Sequence, residues 1–311
     1  MRLVFLGTPE FAVATLEQIV VAGHQVLMVV TQPDRPSGRG QRLATSPVKE
    51  SAGRLGLPIF QPERVRRPEA VAQLRALNAE AMVVVGYGQI IPQSVIDLVP
   101  LGIINVHASL LPKYRGAAPI QWAIANGENR TGITTMRIDA GLDTGDMLLK
   151  AETEIGPEEN AIELGRRLAP MGADLLIETL DGLERGTIVP QPQNQGEATL
   201  APILKKEDGL IDWRQPAQAI HNRVRGLQPW PGAYTKFRGQ TLHIWRSRVK
   251  GEPCAPAGKL ERLKALSVCC GSGSLELVEM QLEGRKRVTA SDFANGQRLT
   301  GIEMLGESTW N

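Results

Sequence analysis

Five nearly continuous apolar runs punctuate the first half of the chain: LVFLG (3–7), QVLMVVTQ (25–32), AMVVVGYG (81–88), GIINVH (102–107) and GITTMRI (132–138). Short runs with little polar alternation have the pattern of strands covered on both faces. The segments between several of them are helical in period. In PEFAVATLEQIVVAGH, Pro9 stands near the start and Gly23 near the end, residues suited to opening and closing a helix. Short buried strands alternating with helices predict an α/β domain on a Rossmann-like, mostly parallel sheet, with ligands beyond the carboxyl ends of its strands. A helical stretch near 158–184 closes this region.

The pattern then changes. GTIVPQPQNQGEATLAPILKKEDGLIDW combines Pro, Gln and Gly with little periodicity and reads as a linker. Beyond it, AYTKF, QTLHIWRSRV, ALSVCC and LELVEMQL are separated by Gly-containing turns, which predicts a small β-barrel or sandwich. The expected division is a catalytic domain over 1–189, a linker over 190–208 and a second domain over 209–311. A chain of 311 residues is long enough for two cores.

Composition narrows the class. Apolar residues make up 42% and charged residues 22%, values of an ordinary globular protein rather than a disordered or fibrous one. No stretch approaches the roughly 20 apolar residues of a membrane span, and the opening run breaks at Gly7 and Pro9, too soon for an export signal. A cytoplasmic location without membrane contact is expected. Cys254, Cys269 and Cys270 contain no CxxC, and His24, His107, His221 and His243 lack close spacing. Neither a disulfide framework nor a metal site is expected.

The net charge of +2 conceals an asymmetry: residues 1–208 carry 20 Lys/Arg against 24 Asp/Glu, whereas 209–311 carry 15 against 9. A basic carboxy-terminal region suggests a polyanionic partner. The first strand runs into GTPEF, which has neither GxGxxG nor GxxxxGK[ST], so dinucleotides and nucleoside triphosphates are disfavoured as ligands.

The chemistry concentrates in INVHASLLPKYRGAAPI (104–120) and DAGLDTGDMLLK (139–150). Asn105 and His107, at i and i+2 near a strand end, share a face. Alone they need do no more than cap a sheet. Asp143, in a turn flanked by glycines after the next strand, changes the reading. A carboxylate there orients the imidazole, while the Asn105 amide donates to an oxygen that develops negative charge. Such a set suits acyl transfer without a Ser or Cys nucleophile.

INVHASLLPKYRGAAPIQWAI, LDTGDML, the opening GTPEFA and TQPDRPSGRG together resemble the methionyl-tRNA formyltransferase family of 10-formyltetrahydrofolate-dependent enzymes, from residue 2 to the basic tail. The resemblance implies Asn105, His107 and Asp143 as the catalytic trio, Ser109, Leu110, Leu111 and Pro112 as a folate-contacting turn, and no metal. It implies that 10-formyltetrahydrofolate is the formyl donor and the free α-amino group of initiator methionyl-tRNA the acceptor. N-x-H with SLLP is shared across the wider formyltransferase family, so formyl transfer to a sugar-nucleotide amine and hydrolysis of the donor remain alternatives.

Two regions bear on the acceptor. Residues 32–49 form a long polar excursion with Arg35, Arg39, Arg42 and Lys49 against Asp34, of a length that is usually functional or disordered. By resemblance it wedges into the tRNA acceptor end through Arg39 and Arg42. The resemblance also makes 209–311 an OB-like tRNA-binding domain, where Arg214, Arg223, Arg225, Lys236, Arg238, Arg246 and Arg248 interleave with Trp213, Trp230, Tyr234, Phe237 and Trp245. Most of these tryptophans are expected in the core, leaving the cations for RNA. A monomer is implied.

Overall fold

The computed structural model describes residues 1–37, 42–252, 254–262 and 264–306. In chain order the first region contains β1 (Arg2–Gly7), α1 (Val13–Val21), β2 (Gln25–Val30), a hairpin of β3 (Arg35–Ser37) and β4 (Arg42–Ala44), α2 (Pro47–Arg54), β5 (Ile59–Phe60), α3 (Pro68–Ala76), β6 (Ala81–Val85), α4 (Gln93–Ile96) and β7 (Ile103–His107). Then follow α5 (Pro119–Ala125), β8 (Arg130–Arg137), β9 (Met147–Glu154) and α6 (Ala161–Glu184). Seven strands make one sheet in the order β5-β2-β1-β6-β7-β8-β9. β5, β2, β1, β6 and β7 are parallel, and β8 runs antiparallel to β7, so the sheet is mostly parallel and Rossmann-like as the pattern predicts.

Burial explains which strands the apolar runs disclose. Every residue of β6 and β7, and of β1 after Arg2, is buried. Val4, Leu6, Met82, Val84 and Ile103 pack with Val71, Leu74 and Val95 from α3 and α4. β9 instead alternates along its outer half, as an edge strand with one solvated face does, and carries no apolar run to betray it.

Strand order reverses between β1 and β6, which places the ligand crevice of an open α/β sheet at their carboxyl ends. There Thr8 Oγ1 donates to the Tyr87 carbonyl at 3.1 Å, and Gln32 Nε2 donates to the same oxygen at 3.1 Å. Gly86 turns the chain with φ +57°, and a Cβ there would lie 2.8 Å from Pro9 Cγ. Only glycine combines that backbone with so close an approach.

The chain divides into two compact units interleaved in sequence: Met1–Gly116, Arg130–Thr153 and Gly165–Leu200 form the first; Ala117–Asn129, Glu154–Leu164 and Ala201–Asn311 form the second. The segment 190–208, expected as a linker, is thus shared out at Leu200. In the second unit α7 (Ala217–Gly226) precedes β10 (Ala233–Phe237), β11 (Gln240–Lys250), β12 (Leu260–Arg262), β13 (Leu266–Cys269), β14 (Ser274–Leu282), β15 (Val288–Thr289) and α8 (Ala290–Gly296). The strands form an antiparallel sheet in the order β10-β11-β14-β13-β12, with β15 on β14. Trp213, Phe237, Leu242, Ile244, Val268, Leu275 and Phe293 fill its core. Among the described residues, no helix is long and apolar enough to cross a membrane.

Three expectations need correction. Residues 32–49 are not one structureless loop: β3 and β4 pair with Arg35 opposite Ala44, and Pro47 starts α2 behind a Ser46 N-cap, whose hydroxyl accepts from Lys49 N at 3.1 Å. Lys49 pairs with Asp34 and is not a free cation. A disulfide joins Cys254 to Cys269 although the spacing suggested none, because the turn into β12 returns the chain against β13, a proximity that cysteine count does not encode. Cys270 stays free and buried, and burial pushes its thiol pKa up to about 12. Finally, Trp213 is a core residue, but Trp230 is 55% exposed and Trp245 is only half-buried.

Candidate active site

β7 carries Asn105 and His107 on one face, as the two-residue period requires, with Asn105 opposite Met136 and His107 opposite Thr134 of β8. Both are buried, at 9% and 6% exposure. The loop from β8 to β9 brings Asp143 to them. Asp143 Oδ1 accepts from Asn105 Nδ2 at 3.5 Å, and its Oδ2 lies 3.7 Å from His107 Nδ1. The three residues named from sequence therefore surround one small volume at the end of β7.

The Asp143 turn is built from its own sequence. Asp139 Oδ1 accepts from Gly141 N at 3.0 Å and from Thr144 Oγ1 at 2.7 Å, folding DAGLDT onto itself. Arg137 N donates to Asp146 O at 2.9 Å and shuts the base of the loop. A Cβ on Gly145 would sit 1.9 Å from the Arg137 carbonyl, so only a glycine lets the strands close there. Asp143 itself has φ +51°, a left-handed conformation that Asp tolerates better than most residues. It is held by the backbone of Gly116, whose N–H donates to Asp143 Oδ2 at 2.8 Å.

His107 is oriented by a carbonyl: Nε2–H donates to Tyr114 O at 2.9 Å, and Tyr114 adopts φ +62° to present it. Nδ1 is then the nitrogen that faces Asp143. At 3.7 Å Nδ1 and the carboxylate face each other at a distance too long for a hydrogen bond.

The SLLP turn sits beside this cluster. Thr134 Oγ1 donates to Ser109 O at 2.7 Å and accepts from Leu111 N at 3.1 Å, clasping the turn to β8. Ser109 Oγ donates to Lys113 O at 2.6 Å. Leu111 packs with Met136 and Met147, and Pro112 is also buried, whereas Leu110 is half-buried. Of the four residues proposed to meet a pterin, Leu110 is the one with a substantial share of side chain open.

Sequence reading missed Thr134, Arg115 and Gln193. Thr134 lay inside an ordinary strand run, and Gln193 inside the apparent linker. The only sequence signal for Arg115 was its place in the PKYRGAAP loop; its burial, at 5% exposure, depends on tertiary partners.

Of the residues expected to meet tRNA, Arg39 lies outside the described residues, and Arg42 opens β4. In the second unit Arg225 is buried and donates to Gly156 O and Glu159 O, so it is spent internally. Arg223 donates to Asp208 O, Arg214 forks onto Asp212, and Arg248 pairs with Glu276 at 3.8 Å. Arg246 is exposed on β11. One group of metal-type donors occurs among the described residues, Cys254, Glu261 and Cys269, and two of its three atoms are bonded to each other in the disulfide.

Comparison with known proteins bears on the family of the chain. The formyl transferase family model matches residues 1–180, and the model of the formyl transferase C-terminal domain matches 203–298. A methionyl-tRNA formyltransferase of Solibacter usitatus is 71% identical over 308 residues, covering 99% of each chain. Among solved structures, HypX from Aquifex aeolicus in complex with tetrahydrofolic acid aligns with TM-score 0.65 at 18% identity, covering 98% of this chain and 48% of that one, so this chain spans about half of HypX. WlaRD, a sugar 3N-formyl transferase, aligns with TM-score 0.68 at 17% identity over 92% of this chain and 99% of its own; at such identities the likeness is one of fold. By its two family domains and its near full-length identity, the chain belongs to the methionyl-tRNA formyltransferase family.

Proposed function

We propose that the protein transfers the formyl group of 10-formyltetrahydrofolate to the free α-amino group of methionyl-initiator tRNA in the cytoplasm, with Asn105, His107 and Asp143 as its catalytic residues. The observation that carries this reading is the convergence of an amide, an imidazole and a carboxylate within 3.7 Å on one strand end and one turn. The Ser109–Pro112 turn beside them is the proposed edge of the folate site, and residues 1–189 are the proposed catalytic domain.

The amine nitrogen forms a bond to the formyl carbon, and the formyl oxygen takes up negative charge. Asn105 Nδ2 donates to that oxygen. Its 3.5 Å contact with Asp143 is long and exchanges at little cost for a bond to a charged acceptor. A protonated His107 Nδ1 supplies a second donor, since Asp143 balances its charge without occupying it. The proton lost by the amine passes to Asp143. Cleavage of the old carbon–nitrogen bond returns a proton to the folate nitrogen, so no covalent enzyme intermediate is required. A free α-amine has a pKa of roughly 7.7 to 8.0, and much of it is unprotonated near neutrality. The enzyme's main task is alignment.

We assign acceptor binding to the segment 32–49, with Arg39 and Arg42, and to the basic region 209–311. The test is formylation of charged initiator tRNA, compared with charged elongator tRNA, uncharged tRNA and a sugar-nucleotide amine. Turnover confined to charged initiator tRNA supports the reading. Turnover on the sugar-nucleotide amine, or release of formate without an acceptor, defeats it.

A further inference from the structure

Gln193 lies in the stretch whose sequence reads as a linker, yet it is 7% exposed and every polar atom of its side chain is engaged with the Asp143 turn or with what braces it. Its Nε2 donates to two carbonyls of that turn, Asp143 O and Gly145 O, each at 2.8 Å. Its Oε1 accepts from Arg115 twice, from Nε at 2.9 Å and Nη2 at 2.7 Å. The third nitrogen of that guanidinium, Nη1, donates to Gln195 Oε1 at 2.8 Å. A rigid fork thus fixes the amide plane, and the amide plane fixes the turn.

The same chain segment grips Asp143 from its other end. Gly116, next to Arg115, donates its N–H to the Asp143 carboxylate at 2.8 Å. Asp143 is therefore held at its carboxylate by Gly116 and at its own carbonyl by Gln193, and both holds run back to Arg115–Gly116. Such bracing matches the backbone it supports, because φ +51° at a residue with a side chain persists only where its surroundings impose it.

We propose that Gln193, locked by Arg115, is a positioning residue for the transfer reaction: it sets the distance and direction of the Asp143 carboxylate toward His107 and so governs the rate of the chemical step rather than the affinity for donor or acceptor. This rests on the assignment of Asp143 to catalysis made above. Gln193 touches no reacting atom and acts wholly through Asp143.

The decisive substitution is Gln193→Glu. It retains length and an acceptor for the Arg115 fork, but it replaces the amide donor with an oxygen that meets two carbonyls. The expected result is a kcat about tenfold lower or more, with KM for 10-formyltetrahydrofolate and for methionyl-tRNA within about twofold of wild type, in line with the steep dependence of catalysis on small misplacements. Combined with Asp143→Asn, the further loss from Gln193→Glu should vanish, because residues acting through one group are not additive. A purely structural glutamine would instead give equal losses in both backgrounds. An unchanged kcat, or losses that multiply, overturns the proposal. Wild-type turnover in the same assay tests the activity itself, so the two failures are distinguishable. Independently of turnover, a crystal structure of the Gln193→Glu protein should show the Asp143 carboxylate displaced from His107; an undisturbed carboxylate overturns the proposal.

Discussion

His107 and Asp143 make their strongest statement through what they leave unmade. Neither contact within the trio is a short hydrogen bond, while the outer contacts that aim the trio, His107 to Tyr114 O and Gly116 N to Asp143, are 2.9 and 2.8 Å. The side chains are thus fixed more firmly by these outer contacts than by one another, an arrangement that would preorganise the proposed trio. Replacing His107 or Asp143 by Ala should lower kcat by on the order of 10²-fold or more, with the folded state retained. Steady-state kinetics beside thermal melting checks this; near-normal turnover in both variants removes the trio. A second residue-scale effect concerns stability. Burial holds the pKa of His221 below its usual 6.5, and nearby Arg225 lowers it further, against the hydrogen bond to Pro157 O and the charge of Glu158, which raise it. Well above pH 6.5 His221 is neutral in both folded and unfolded chains. As pH falls below that value the unfolded chain takes up a proton that the folded protein resists, so stability drops until the folded pKa is passed. Melting temperature should therefore fall between about pH 7.5 and 5.5, a window that brackets the unfolded histidine value, and His221→Asn should shrink that fall. An identical pH dependence in the variant would contradict the assignment.

Among elements, strand β7 supplies Asn105 and His107, and the turns at strand ends bring Asp143 and the SLLP segment beside them. The SLLP turn depends on one hydroxyl, Thr134 Oγ1, that satisfies both a carbonyl and an N–H in a buried place. Thr134→Val keeps the shape and strands both groups, which costs about 1–3 kcal/mol for a buried unpaired polar group. Urea titration should show that loss, and kinetics should show a rise in KM for 10-formyltetrahydrofolate larger than any change in KM for tRNA. Equal changes in both would mean that the turn does not border the folate site. Elements also show where pattern reading stops. β1, β2, β6, β7 and β8 are legible because burial on both faces writes itself as an apolar run. β5 has two residues, β9 alternates, and the β3–β4 hairpin is polar, so none of them has that mark.

At the scale of the whole molecule, the charge asymmetry between 1–208 and 209–311 survives as composition but thins as a supply of free cations. Arg225 is consumed inside the second unit, Arg214, Arg238 and Arg248 have carboxylate partners, and Lys49 is paired in the first unit. Fewer cations are therefore without an internal partner than the count suggests, and the proposed phosphate binding would rest on those. Substituting Arg39 and Arg42 by Ala should weaken use of methionyl-tRNA while leaving KM for 10-formyltetrahydrofolate unchanged. The salt dependence of tRNA affinity should flatten, by roughly one unit of log–log slope for each phosphate left without its arginine. Equal damage to folate and tRNA use would point to misfolding instead.

Sequence alone determined the mostly parallel α/β sheet and the change to a β-rich second half, because strand burial is a local property of the chain. The i, i+2 period put Asn105 and His107 on one face, while Asp143 was pointed to by its glycine-flanked turn and by the family resemblance. Tertiary structure alone decided that Gln193 braces Asp143 across 50 positions, that Thr134 clasps Ser109 and Leu111, that Cys254 meets Cys269, and which arginines are engaged within the protein. These are pairings between residues remote in sequence. Each partner looks ordinary by itself, and the contact exists only once the sheet order and the turns have brought the two together.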